Sequence, residues 1–289
     1  MRIRDIPQNA ERKEYDYMKK QMAAFAAGIL LAGMTGCVPG KQNVLNSMAA
    51  ATSERAGKLA EFAADAEQML TVYSNAEQIT ALLRDPDNRE LAEKARVYTE
   101  SFSQDIENND GIYASTPETR ILTHTDSSVV GIITRSDEAA RNTLLNSLKV
   151  SGDGINNQGI IRSPKTGSQV LSMYKAVRNE KDELIGYTGL GVKTDALAAE
   201  NRNVTVSGLK NASYIMLSAA DAKYIFAPDD GQTGQKTQSE EIQRLCGELC
   251  AQSSAAEGTL EYRDDSGKYI AAYSYLPEYE WLLMLKADA

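Results

Sequence analysis

The sequence predicts an α+β fold, a long N-terminal helix followed by two antiparallel-sheet modules built to one plan. Three observations carry this. Asp110 to Val192 reads as two short strands, a helical insertion and three more strands. Ser213 to Lys286 repeats that order of elements. Ahead of both, apolar residues recur at threes and fours from Gln42 to about Tyr73, the period of an amphipathic helix.

In that first helix Leu45, Met48, Ala49, Leu59, Phe62, Ala63, Ala66, Met69, Leu70 and Tyr73 share a face, with Thr52 and Ser53 as weak breaks. Ser74, three residues before Glu77, has the spacing of a capping box for a second helix that ends at Arg84, before the turn Asp85-Pro86-Asp87-Asn88. A third helix is expected from Arg89 to about Glu107, with Leu91, Ala95, Tyr98, Phe102 and Ile106 in one stripe, and the turn Asn108–Gly111 closes it. These helices are expected to pack on a sheet, and a coiled-coil dimer seam is the rival reading for the first.

In the first module the strands are Gly111–Ser115, Arg120–Thr125, Gly159–Ser163, Gln169–Val177 and Leu184–Val192. The helix is Asp137–Lys149, with Ala139, Leu144, Leu145 and Leu148 inward. Ser163-Pro164-Lys165-Thr166-Gly167 and Asn179-Glu180-Lys181-Asp182 are the hairpin turns. A short helix over Asp195–Ala199 and a polar stretch at Asn201–Asn203 lead to the second module. Its strands are Ser213–Ser218, Tyr224–Ala227, Gly258–Arg263, Tyr269–Tyr275 and Trp281–Lys286, its helix Glu240–Ala251. Ala219–Ala222 and Asp264-Asp265-Ser266-Gly267 are its turns.

The chain of 289 residues is 42% hydrophobic and 25% charged, an ordinary globular composition. Its net charge of −9 argues against a nucleic-acid partner, whose phosphates it would repel. There is one histidine, His124, which excludes a multi-histidine metal site within one chain. No metal and no cofactor is expected. Cys246 and Cys250 lie four apart on a helix and form no four-cysteine pattern; a strained disulfide and free thiols are both open.

At the front, Met18-Lys19-Lys20 precedes an uncharged run from Met22 to Gly36. Fifteen residues is shorter than the roughly 20 a bilayer span needs, and suits the apolar core of a secretory signal. Met34-Thr35-Gly36-Cys37 resembles a bacterial lipobox, which implies cleavage before Cys37 and its acylation. Asp5, Glu11, Glu14 and Asp16 do not suit a leader, so translation is expected to start at Met18, with Lys13-Glu14 encodable as a purine-rich ribosome-binding run.

Gly111–Ser115, Thr123-His124-Thr125-Asp126 with Gly131, Ser163–Gly167, Val170–Val177, Leu184–Gly189 and the closing Tyr269–Tyr275, Leu276-Pro277 and Trp281–Met284 together resemble a double Cache domain. That family forms the extracytoplasmic sensors of bacterial chemoreceptors, kinases and cyclic-dinucleotide enzymes. The likeness runs from about Ser47 to Ala289 and rests on the order of the motifs. It implies two PAS-like modules stacked along a long helix, with a small ligand in the membrane-distal one. The domains expected are a leader and signal peptide at 1–36, an anchor and tether at 37–46, a helical stalk at 47–109, a distal module at 110–200 and a proximal module at 201–289. Family members continue into a second membrane helix, which here is expected to begin where the chain ends, at Ala289.

Alternate strand residues share a face. Val170, Ser172, Tyr174 and Ala176 therefore lie together, as do Tyr187, Gly189 and Gly191, and the two glycines leave room for a ligand. The candidate ligand-binding residues are Tyr113, Arg135, Arg141, Ser172, Tyr174 and Tyr187: the tyrosines offer ring faces and hydroxyls, the arginines paired N–H donors for a carboxylate. His124 is a turn residue bonding locally, or a group titrating near neutral pH. Amino-acid-binding relatives carry Arg-x-Trp-Tyr at the inserted helix and an Asp in the last strand. Here Thr134–Glu138 has no Trp and Gly191 stands at the acidic position, which points to another small, anionic molecule.

The function expected is sensing of a small molecule by a lipid-tethered extracytoplasmic protein that passes its ligand state to a membrane signalling partner, in chemotaxis or related signal transduction. The alternatives are the ectodomain of a transmembrane chemotaxis receptor or sensor kinase, and a secreted hydrolase. Against the hydrolase, there is no Gly-x-Ser-x-Gly elbow and a single histidine.

Overall fold

The 34 residues Lys41–Ser74 form one unbroken helix, α1, about 51 Å long. Thr52 does not interrupt it, because its hydroxyl is buried and donates to the Met48 carbonyl at 2.7 Å. The computed structural model describes residues 40–163, 166–195, 197, 204, 209–264 and 267–289. The expected signal sequence with Cys37, the residues Pro164 and Lys165, most of Asp195–Ala199, Asn201–Asn203, and Asp265 with Ser266 lie outside the described residues.

One stripe of α1 is buried: Met48, Thr52, Ala56, Leu59, Ala63, Ala66, Leu70 and Tyr73. It packs against strands of both sheets, so the stripe is spent on the fold rather than on a seam with a second chain. Ser74 does not start the next helix. It is buried and donates to the carbonyls of Leu70 and Thr71, closing α1 instead. Helix α2, Glu77–Arg84, begins at Ala76 with no side-chain cap. Helix α3, Arg89–Gln104, is capped by Asn88, whose Oδ1 accepts from the N–H groups of Glu90 and Leu91. It ends three residues before Glu107. Tyr73, Tyr98 and Phe102 pack ring to ring, and hydroxyl bonds Tyr73–Thr99 (2.7 Å) and Thr123–Thr99 (3.0 Å) tie α1 and α3 to the first sheet.

The first sheet comprises β1 Asn109–Ser115, β2 Ile121–His124, β3 Ile155–Arg162, β4 Gln169–Arg178 and β5 Leu184–Lys193, in the order β2-β1-β5-β4-β3. Helix α4, Glu138–Ser151, follows β2 and is capped by Asp137, which accepts from Ala140 N–H at 2.8 Å. It buries Leu144 and Leu148, while Ala139 is exposed. Strand β3 starts four residues earlier than its apolar residues indicate. A bulge between Asn157 and Ile160 hides the pattern: Gly159 adopts φ +72° and Asn157 Oδ1 accepts its N–H.

The second sheet comprises β6 Ser213–Ser218, β7 Lys223–Phe226, β8 Ala256–Asp264, β9 Gly267–Leu276 and β10 Trp281–Asp288, in the order β7-β6-β10-β9-β8. Helix α5, Glu240–Gln252, sits between β7 and β8, with Ser239 accepting from Ile242 N–H. Each sheet turns one face to α1, and these faces share a single core that includes Leu171, Leu190, Leu283, Leu285 and Trp281. The opposite faces meet α4 and α5 and form separate cores. No helix among the described residues is long and apolar enough to cross a membrane.

Candidate functional site

The α4 side of the first sheet holds a cavity of about 410 Å³. Strand register dictates its floor. On β5, Tyr187, Gly189 and Gly191 point to this side; Gly189 is flanked by Tyr113 and Tyr174, and Gly191 by Gly111 and Ser172. The glycines let large side chains lie across the sheet. A Cβ on Gly189 would come within 2.5 Å of the Tyr113 ring, and one on Gly111 within 2.9 Å of the His124 ring. Space expected for a ligand over Gly189 is thus taken by Tyr113, whereas Gly191 lines the cavity.

The rings form a connected set. Tyr113 and His124 are stacked at 5.5 Å, and Tyr187 meets Tyr113 and Tyr174 edge-on at 6.3 and 5.9 Å. Burial pushes the phenol of Tyr113 well above its ordinary value, aided by Tyr174 and Tyr187, and burial does the same to Tyr187. Both remain neutral hydroxyls at physiological pH. Tyr187 is fully buried, and its hydroxyl lies toward Ser115 and Thr134 without a bond of hydrogen-bonding geometry.

Arg135 arrives from the loop before α4. Its backbone N–H donates to the buried Thr119 hydroxyl at 3.0 Å, and Thr134 N–H donates to the Thr119 carbonyl at 3.0 Å. Thr119 itself sits at φ +66° in the β1–β2 turn, so that turn fixes where the arginine starts. The guanidinium donates to Tyr174 Oη at 3.1 Å and lies 5.4 Å from the ring centroid. Burial works against its charge, but the surrounding phenols outweigh that and it stays protonated.

Asp110 supplies the opposite sign. A bulge between Asn109 and Gly111 turns it out of the regular alternation, beside Gly191. Its carboxylate accepts from Ser163 Oγ at 2.7 Å and Thr166 Oγ1 at 2.9 Å. The cavity therefore has a cation near Tyr174, a carboxylate near Gly191, and apolar walls from Ile161 and Val170.

Of the residues singled out in the sequence, Tyr113, Arg135, Ser172 and Tyr174 line the cavity, and Tyr187 lies beneath the rings. Arg141 does not join them; it stands half-buried in the first turn of α4, outside the wall. Asp110, Thr134 and Ser163 were missed. Asp110 reads as a turn residue, and the bulge that redirects it leaves no trace in the period-two pattern. His124 has the local bond expected of it, Nδ1 accepting from Asp126 N–H at 2.8 Å, and also lines the cavity. Cys246 and Cys250 are free thiols, and burial pushes Cys246 up to about 12.

No family model and no curated protein matches the sequence. Solved structures do. The sensor domain of the Vibrio cholerae histidine kinase DctB is similar over 86% of this chain and 98% of its own, with 11% identity and a TM-score of 0.64. The periplasmic sensory domain of the Campylobacter jejuni chemoreceptor Tlp1 is similar over 85% and 95%, with 14% identity and a TM-score of 0.61. The sensory domain of the same organism's chemoreceptor Tlp3, with isoleucine bound, is similar over 86% and 94%, with 9% identity and a TM-score of 0.59.

Proposed function

We propose that this chain, which has the double Cache fold of extracytoplasmic sensor domains, binds a small molecule in its first module and signals that occupancy to a membrane partner. The observation that carries the reading is the Arg135 guanidinium, fixed on the Tyr174 hydroxyl above a sheet face whose central strand is glycine where a ligand would lie. A guanidinium presented this way favours a carboxylate or similar anionic group. Asp110 brings beside Gly191 the acid that β5 lacks. The ligand class therefore includes molecules with an acidic group at one end and hydrogen-bond donors at the other, amino acids among them. The site binds and releases; no group in it is assigned a chemical step.

Tethering is part of the same proposal. Acylated Cys37 would hold the domain at the outer face of the membrane, in reach of a signalling protein. A fatty-acid analogue should label the chain and fail to label Cys37→Ser; label in neither would favour the receptor-ectodomain reading.

The binding half is tested by thermal-shift screening of the chain against small carboxylic acids and amino acids. A binder should raise the melting point by mass action. Arg135→Ala should weaken that binder by about 10- to 150-fold, the equivalent of losing a charged hydrogen bond, while the protein stays folded. Unchanged affinity in Arg135→Ala would remove the site from this cavity.

A further inference from the structure

The end of the cavity at Gly191 is bordered by two polar groups, the His124 imidazole and the Asp110 carboxylate. The imidazole belongs to the last residue of β2, which is paired with Tyr113 of β1. Its ring lies over β1: a Cβ on Gly111 would come within 2.9 Å of its Cε1 and 3.0 Å of its Nε2. Gly111 is in turn the partner of Gly191 on β5, so Nε2 and the space above Gly191 are neighbours. Asp110 borders the same space, its Oδ2 3.8 Å from where a Cβ on Gly191 would stand. It accepts hydroxyl protons from Ser163 and Thr166 and has lone pairs for a third donor.

The other ring nitrogen decides what Nε2 carries. Nδ1 accepts from Asp126 N–H at 2.8 Å, so it keeps its lone pair and the neutral ring holds its proton on Nε2. The stack on Tyr113, 5.5 Å between centroids and 19° between planes, sets the plane of the ring. This end of the cavity thus offers an N–H donor over Gly111 and a carboxylate acceptor beside Gly191. A ligand group between them must accept from one and donate to the other. A hydroxyl does both. An ammonium has no lone pair; it satisfies Asp110 but leaves the Nε2–H unpaired against a cation, and an unmade bond in a desolvated site is costly.

We propose that His124 is a specificity residue of this cavity: as a neutral Nε2–H donor it selects, together with Asp110, a ligand hydroxyl over a ligand ammonium, so that small hydroxy acids are preferred to amino acids of the same skeleton. This deepens the reading above and rests on it for the cavity being a ligand site.

The first test needs no ligand. His124 is the one histidine of the chain, so a long-range proton–nitrogen correlation spectrum of the isotope-labelled protein shows a single imidazole. At about pH 8, above the ordinary histidine value of about 6.5, its signals should be those of a neutral ring protonated on Nε2. A ring protonated on Nδ1, or one averaging between both forms, would overturn the proposal.

The second test is calorimetric titration with matched pairs: glycolate and glycine, L-lactate and L-alanine, L-malate and L-aspartate, L-phenyllactate and L-phenylalanine. In at least one pair the hydroxy acid should bind, at least about tenfold tighter than its amino acid, the fold-change of about one hydrogen bond. His124→Phe keeps a ring against Tyr113 and removes the N–H, and should erase most of that preference. An amino acid that binds wild type as tightly as its hydroxy acid, or a preference that survives His124→Phe, would overturn the proposal. Where that variant does not fold, the bound hydroxy acid should move the Nε2–H signal of the wild-type spectrum, and an unmoved signal would count equally against it. Failure of every hydroxy acid to bind overturns the proposal too. The ligand reading of the cavity fails separately, in a wild-type chain that no small acid or amino acid of any kind stabilises.

Discussion

The two modules share strand order, hairpin pairing and the place of the inserted helix, yet one helix-side face is hollow and the other full. The difference lies in a few positions. On its helix-facing side β5 carries Gly189 and Gly191, whereas β10 carries Leu282, Met284 and Lys286. On the same side β1 carries Gly111 and Tyr113, whereas β6 carries Ser213, Ile215 and Leu217. Helix α4 seats two buried leucines on its sheet, while α5 seats Ile242, Cys246 and Leu249. A hollow module and a packed module thus arise from one topology, by removing side chains from the central strand and letting the freed space be bounded by rings and two opposite charges.

That comparison can be broken most severely from the packed side. Met284 is fully buried, and Met284→Gly imports the hollow strand's residue without its surrounding rings. It should cost about 3–5 kcal/mol, a cavity term plus the weakness of glycine in a strand, read by denaturant titration. A loss under about 1 kcal/mol would mean that the second face is not held by its filling.

On the hollow side, Gly189→Ala drives a Cβ into the Tyr113 ring, which must shift to make room. A loss of about 1–3 kcal/mol is expected, together with weaker ligand binding because Tyr113 must rotate into the cavity. Unchanged stability would show that the ring is not seated on that glycine.

The smallest expected effect concerns Glu67 of α1. Burial raises its carboxyl pKa, opposed by the nearby Asn157 amide of the first module, whose Nδ2 does not reach hydrogen-bonding geometry, and reinforced by Glu278 of the second. The folded chain therefore holds this proton to a higher pH than the unfolded chain, whose glutamates titrate near about 4.3. The stability this group contributes is complete below that value and is lost as pH rises through the folded-state pKa. Glu67→Gln should flatten that slope in pH-dependent melting, by a fraction of a kcal/mol after solvent screening. A slope that survives the substitution belongs to another group.

The architecture was legible because both modules obey simple periods. Alternation placed Val170, Ser172 and Tyr174 on one face with Gly191, and the structure keeps that grouping around the cavity. What escaped were positions where local chemistry overrides the period. Asp110 is swung by a bulge, and β3 opens with Ile155 followed by Asn156-Asn157-Gln158, which reads as loop because another bulge breaks the pattern. Ser74 had the spacing of a cap, but burial against the fold committed its hydroxyl backwards to α1. Arg141 had the right charge near the right helix, yet it does not line the cavity, a three-dimensional fact that charge and spacing do not carry.

Gly191→Leu is the sharpest probe of the hollow face, because its Cβ would meet Asp110 only at an ordinary 3.4 Å and the added side chain can occupy the cavity without breaking the sheet. Calorimetric titration of wild type and Gly191→Leu with the strongest stabilising small acid or amino acid should give a single saturable site in the first and a loss of at least about 100-fold in the second, at unchanged or higher melting temperature. Equal binding by both chains would contradict the claim that the space above Gly191 is where the ligand lies.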